Sequence, residues 1–297
     1  MTHIPVLLKE VIKILNPVSG EFFIDGTAGS GGHSAEILEK IGLNGKLLCV
    51  DWDKNNIQKL TEIKKERDWE NVILIHDNYK NIPEILKNKN LLEADGLIID
   101  LGFSSEQLDS STGGGKGFSF MKNEQLDMRY GDEDLTAAEI VNSFNEKDLA
   151  DIFFRYGEER FSRQIAKKIT EERKKKRILT TFDLVEIIKK SVPKNYEKGR
   201  IHPATRVFQA LRIYVNNELE NLETILKNLN KILKLKGRVA IISFHSLEDR
   251  LVKNYFRQMA KEGRAEILTK KPIVASEEEI RNNPRSRSAK LRAIKII

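Results

Sequence analysis

The run Asp25-Gly26-Thr27-Ala28-Gly29-Ser30-Gly31-Gly32-His33 lies between an apolar stretch, Phe22-Phe23-Ile24, and a helix-forming one. Glycines in that position let the backbone turn sharply and approach a ligand with no Cβ in the way. Such a turn cradles either the pyrophosphate of a dinucleotide or the amino-acid end of S-adenosylmethionine. The spacing speaks against the dinucleotide, because counted from Gly29 the third glycine of G-x-G-x-x-G falls on Ser34. Asp25 would also set a carboxylate beside a pyrophosphate, whereas it suits a ligand carrying sulfonium and ammonium charges. Asp51 closes the next apolar run, twenty residues after Gly31. An acid there accepts the ribose hydroxyls of an adenosine; the plainer reading is a strand-end Asx turn. Tyr79 follows the third apolar run, placed either to flank an adenine or simply to pack.

A second chemical site is expected at Asp100-Leu101-Gly102-Phe103-Ser104-Ser105-Glu106-Gln107. Amino-group methyltransferases carry [Asp/Asn/Ser]-Pro-Pro-[Tyr/Phe] at the corresponding strand end. The exocyclic amine of cytosine is a poor nucleophile because its lone pair is delocalised into the ring. An acceptor on its N–H hydrogens and an aromatic face holding the base restore reactivity. Asp100 stands at the acceptor position and Phe103 at the aromatic one, and the two prolines are missing. His202 and His245 invite general-base readings, but a lone histidine is more often structural. Cys49, the single cysteine, sits in Leu47-Leu48-Cys49-Val50 and reads as a buried thiol. It excludes an internal disulfide framework, and no Cys/His cluster has zinc-ligand spacing, so no metal is expected.

These residues need a scaffold that brings strand ends together, and the sequence pattern supplies one. Strand-like runs at 22–24, 46–50, 72–75 and 96–99 alternate with amphipathic helical stretches, the mark of a helix-covered parallel sheet. The alternation breaks at residue 106. From there to 203 no buried strand is evident; Thr136-Ala137-Ala138-Glu139 reads as a capping box, and Asn145 and Thr181 as helix N-caps. The stretch 158–176 is helical by composition. The α/β pattern then resumes with a long helix over 205–235, a strand over 238–244 and a helix over 247–261. Residues 265–268 and 291–296 suggest a final antiparallel pair. The expectation is a doubly wound α/β sheet with a helical insert: a discontinuous domain over 1–105 and 205–297, and an inserted domain over 106–204.

Net charge is +7 with 32 % charged residues, which favours an anionic partner. The excess is local: residues 160–212 hold 16 Lys/Arg against 5 Asp/Glu. Beside a candidate active site this favours phosphate binding over a merely solvated helix face, with Arg173-Lys174-Lys175-Lys176-Arg177 at its centre. No run approaches the roughly 20 apolar residues that span a bilayer, so a cytoplasmic protein without membrane partners is expected.

Several segments together resemble the ribosomal RNA small subunit methyltransferase H family. They are His3-Ile4-Pro5-Val6-Leu7-Leu8, the glycine loop ending Gly-Gly-His-Ser, Asp100-Leu-Gly-Phe-Ser-Ser, Gly117-Phe-Ser-Phe-Met and Leu126-Asp-Met-Arg. Further along come Tyr156-Gly-Glu-Glu-Arg-Phe, His202-Pro-Ala-Thr-Arg-Val-Phe-Gln-Ala-Leu-Arg-Ile, Ser243-Phe-His-Ser-Leu-Glu-Asp-Arg and Asn283-Pro-Arg-Ser-Arg-Ser. The resemblance implies a Rossmann-like class I methyltransferase sheet with an all-helical insert. It also implies S-adenosylmethionine-dependent methylation of N4 of one cytidine in the decoding region of 16S ribosomal RNA. The family's cofactor contacts map onto Gly31, Gly32, His33, Asp51, Tyr79, Asp100 and Gln107. Glu106 departs from the pattern, a proline being common before the glutamine, and Ser30 is often a larger residue.

Overall fold

The computed structural model describes residues 4–102, 115–131, 135–193, 196 and 202–297. These form two compact units, one built from 1–102 with 219–297, the other from 103–218.

The first unit is a seven-stranded sheet in the order β3-β2-β1-β4-β5-β7-β6. Its strands are β1 (Phe22–Asp25), β2 (Lys46–Asp51), β3 (Val72–His76), β4 (Ala94–Asp100), β5 (Leu233–Ser243), β6 (Ala265–Ile267) and β7 (Lys290–Ile296). β1 to β5 are mutually parallel, and β7 pairs antiparallel with both β5 and β6. Successive side chains of a strand point to opposite faces. Phe23, Leu47, Cys49, Ile98 and Ile242 therefore face α1 (Leu8–Leu15), α2 (Gly32–Ile41) and α3 (Lys54–Glu66). Ile24, Leu48, Val50, Leu97 and Ile99 face the other layer, made by α4 (Ile82–Asn88) and the helices after residue 218. Covering both faces is what lets parallel strands read as unbroken apolar runs. The sheet is a doubly wound, Rossmann-like α/β sheet, with the strand order reversing between β1 and β4. Ligands bind such sheets at the carboxyl ends beside that switch point.

The second unit is helical. Its described residues form helices α5 (Ala137–Ser143), α6 (Glu146–Gly157), α7 (Ser162–Glu172), α8 (Thr181–Ser191) and α9 (Thr205–Val215). They enclose a core that includes Ile140, Phe153, Ile165, Ile188, Phe208 and Leu211. The capping box at Thr136 and Glu139 and the Asn145 cap are both present. The next cap is Thr180, one residue earlier than expected. Thr181 is drawn inward instead, donating to the Lys122 carbonyl at 2.6 Å.

The expected single helix over 205–235 is three: α9, then α10 (Glu218–Lys227) and α11 (Leu229–Ile232). The break lies at Asn216-Asn217. Asn216 Oδ1 accepts from Tyr130 N at 2.8 Å and its Nδ2 donates to the Met128 carbonyl at 2.7 Å, while Asn217 takes a positive φ of 49°. This corrects the expected second boundary. α9 packs in the helical core, so the units divide at 218/219 rather than at 204/205. β5 likewise begins five residues before the expected Arg238.

Candidate active site

Each candidate carboxylate ends a parallel strand: Asp25 ends β1, Asp51 ends β2 and Asp100 ends β4. Asp25 is 2 % exposed. Its Oδ2 accepts from Ser34 Oγ at 2.6 Å and its Oδ1 from Thr27 N at 3.1 Å. Burial outweighs those bonds and, with a smaller push from Asp51, lifts the carboxyl to about 6.

Asp51 shapes the glycine loop. Its Oδ2 accepts from Gly29 N at 2.7 Å, and its Oδ1 accepts from Asp53 N at 2.8 Å and Asn56 Nδ2 at 3.1 Å. A carboxylate offers about four lone-pair sites, so these three donors leave one for a ribose hydroxyl. The second expected ribose bond would need one of them to yield. Burial raises the Asp51 carboxyl, opposed by the bonds from Asp53, Gly29 and Asn56.

Asp100 is anchored through its backbone, its N–H donating to Thr27 Oγ1 at 2.7 Å. Its Oδ1 is buried with no hydrogen-bond partner among the described residues, and its Oδ2 lies 4.0 Å from His33 Nδ1. Burial, Asp25 and Glu248, in that order, hold the carboxyl well above its ordinary range. A buried acceptor left unpaired costs about 1–3 kcal/mol, which a donor or a cation reaching Oδ1 would offset.

Gly31 takes a positive φ of 81° as the N-cap of α2. Gly32 has a different reason to be glycine: a Cβ there would lie 2.3 Å from Pro5 Cγ. His33 is 6 % exposed, its Nε2 3.0 Å from the Val6 carbonyl oxygen. The N-terminal segment thus lies against the glycine loop. It is held from its other side by Asn283 Nδ2, which donates to the Ile4 carbonyl at 3.0 Å, and by Glu279, which accepts from Leu7 N at 2.7 Å. Three of the resembling segments meet here in their described parts, 4–8, 31–34 and 283–288. Tyr79 is partly buried, packing on the core beside Gly26. Phe103, Glu106 and Gln107 lie outside the described residues.

Sequence reasoning passed over Ser34, Thr27, Asn56 and Glu248, which orient or charge the named carboxylates. Thr27, Ser34 and Glu248 stood inside quoted motifs without being singled out, and Asn56 carried no signal. His245 is the N-cap of α12 (Ser246–Lys261), in a reciprocal box with Glu248. His202 Nδ1 accepts from Ala204 N at 3.1 Å, and its ring stacks on Phe120 at 4.7 Å. Both have structural work. In Tyr156-Gly-Glu-Glu-Arg-Phe, a Cβ on Gly157 would lie 2.5 Å from the Arg206 carbonyl, so α6 and α9 cross closely there. Glu159 is fully buried and accepts from Tyr196 OH and Phe161 N.

The basic run divides. Arg173 donates to the Val141 and Phe144 carbonyls at 2.8 and 2.6 Å, capping α5. Lys175 pairs with Glu172, and Lys176 with Asp183, each at 3.0 Å. Lys174 and Arg177 are exposed and unpaired among the described residues, as are Arg163, Lys167 and Lys190. The described residues include no helix long and apolar enough to cross a membrane.

The cluster of buried carboxylates, the open Oδ1 of Asp100 and the left-handed glycine turn fit a cationic nucleoside ligand such as S-adenosylmethionine. Comparison with known proteins agrees. A "Ribosomal RNA small subunit methyltransferase H" of Clostridium botulinum (strain Loch Maree / Type A3) is 45 % identical, covering 99 % of each chain. One from Sulfurihydrogenibium sp. (strain YO3AOP1) is 45 % identical over 98 % of this chain and 97 % of its own. A third, from Rickettsia akari (strain Hartford), is 44 % identical over 100 % of this chain and 99 % of its own. The sequence model of the MraW methylase family matches residues 1–297, and the chain belongs to that family.

Proposed function

We propose that this methylase transfers a methyl group from S-adenosylmethionine to N4 of a cytidine in the decoding region of 16S ribosomal RNA, within the small subunit. The observation that carries the reading is Asp100: a carboxylate at the switch point, with one oxygen buried and unpartnered among the described residues. The names of the relatives supply the class of substrate.

The cofactor supplies a methyl group on a sulfonium, activated for direct displacement. Asp51, with its one remaining acceptor site, and Tyr79 would hold the nucleoside end; the Gly29 to Gly32 turn and Asp25 would hold the charged end, and Gln107 joins them by resemblance. Asp100 Oδ1 accepts an N–H of the target amine, orienting the nitrogen lone pair and later taking its proton. Positioning does most of the work, because the amine proton becomes acidic as the new bond forms. Phe103 offers a face for the flipped base, and the exposed cations of the helical unit engage phosphates.

Methylation at carbon 5 would need a cysteine adding to C6 of the ring. The only cysteine, Cys49, is 1 % exposed on β2, and burial drives its thiol pKa far up, so it forms no nucleophile. Transfer to a ribose hydroxyl commonly employs a lysine, and β4 ends in Ile99-Asp100, with Leu101-Gly102 following, without one. The test is mass spectrometry of nucleosides from small subunits incubated with enzyme and cofactor. N4-methylcytidine is expected; 5-methylcytidine or a 2′-O-methylated nucleoside would overturn the reading.

A further inference from the structure

Asp100 faces a problem of charge. The acidic groups acting on it are Asp25 from β1 and Glu248 from α12, with Asp51 of β2 acting on Asp25 in turn. Together with burial they favour the neutral acid. A neutral carboxyl is the weaker acceptor, since hydrogen bonds to an ionised partner are roughly twice as strong.

His33 of α2 faces the same carboxyl, with side-chain exposures of 7 % and 20 % for the pair. Its orientation is fixed from the far side. Nε2 lies 3.0 Å from the Val6 carbonyl oxygen, and a carbonyl only accepts, so Nε2 carries a hydrogen. A neutral ring in that tautomer would turn the Nδ1 lone pair toward Asp100 Oδ2, 4.0 Å away. With Asp100 ionised, two acceptors would then confront each other in a buried space; with Asp100 neutral, its O–H would face Nδ1 and leave the carboxyl the weaker acceptor. One proton on Nδ1 converts that repulsion into an ion pair.

We propose that His33 is the positioning residue of the reaction: held by Val6, it carries a proton on Nδ1 and keeps Asp100 ionised, with Oδ1 left to accept the target amine. The N-terminal segment thereby takes part in the chemistry, since the Val6 carbonyl chooses the tautomer. The inference rests on Asp100 being the acceptor.

His33→Gln is the discriminating variant. Its amide nitrogen can occupy the place of Nε2 and keep the bond to Val6, but it holds no proton toward Asp100. The acidic limb of the pH profile of kcat is expected to move up by about one unit or more. Turnover at pH 7 should fall at least about tenfold at saturating cofactor. A readout independent of turnover comes from ¹⁵N–¹H spectra of the imidazoles in cofactor-free wild-type protein. Both His33 nitrogens should carry hydrogen at pH 7, and Asp100→Asn should remove the one on Nδ1.

A His33→Gln enzyme with the wild-type pH profile would reduce His33 to a tie on Val6 and overturn the proposal. So would a wild-type spectrum with hydrogen on Nε2 alone, a result that stands whether or not the variant folds. If Asp100→Asn keeps full turnover while the spectra show the ion pair, the acceptor reading fails instead.

Discussion

In the sheet unit the carboxylates of Asp25, Asp51 and Asp100 are drawn into a mostly buried cluster, each tied to the glycine loop or to α2. In the helical unit Arg163, Lys167, Lys174, Arg177 and Lys190 stand in solvent without partners among the described residues. The contrast teaches where single residues matter. A buried charge acts through low dielectric and fixed geometry, so removing one has a large and local effect. Exposed charges act on a polyanion by their sum, and each is worth little alone.

The sharpest break in that contrast would come at Asp100. Asp100→Ala should cut turnover by about 100-fold or more, the scale of removing one preorganised electrostatic partner of a reacting group. RNA affinity should change less than about threefold. A variant that loses RNA affinity and turnover in parallel would move Asp100 from chemistry to binding.

Asp25 tests the buried cluster through pH. Its carboxyl binds a proton up to about pH 6 when folded, against an ordinary value of 3.8. Between those values the native state holds more protons than the unfolded chain, so this group's contribution to stability falls as pH rises through that window. Above the window the loss is complete, about 3 kcal/mol for a shift of roughly two units. Urea unfolding of wild type and Asp25→Asn should show a stability difference that changes between pH 4 and pH 7. A difference constant over that range would mean that Asp25 is not held protonated by burial.

Asp51→Ala should weaken cofactor binding by about 1–3 kcal/mol, through the ribose bond and through the donors from Gly29, Asp53 and Asn56 that it leaves unpaired. Calorimetry showing unchanged affinity would take Asp51 out of the adenosine site.

The smallest effects sharpen the other side. Lys174→Gln and Arg177→Gln should each lower the slope of log K against log salt by about 0.7–0.9 for every phosphate the variant no longer neutralises, with the melting temperature unmoved. Arg173→Gln should do the reverse. It removes two charged bonds to the carbonyls that end α5, for about 1–3 kcal/mol of stability, and leaves the slope nearly intact. Equal slopes for all three variants would dissolve the distinction between structural and phosphate-facing cations.

Much of this is legible in the residues. Apolar runs ending in Asp25, Asp51 and Asp100 announce parallel strands and place their acids at one edge, because a strand's periodicity and end are local properties. The capping box at Thr136 and the Asn145 cap are equally local. The single helix expected over 205–235 fails because its interruption is not local: Asn216 stops it by bonding to Met128 and Tyr130, far back in the chain. The same holds for Arg173, one more basic residue in the sequence and a helix cap in the fold.

The amino-acid sequence by itself determined the sheet, the glycine turn and which carboxylates reach the strand ends. Of how those carboxylates are occupied it showed only the Asx turn at Asp51, whose Oδ1 accepts from Asp53 N. Three donors claim Asp51, none of the described residues claims Oδ1 of Asp100, and Gly32 is glycine because Pro5 presses against it. Partnership and burial depend on segments as distant as 5, 33 and 283 meeting in space, and proton affinity follows burial. Chemistry at this site was therefore nameable from residue types, while its charge state was decided only by tertiary packing.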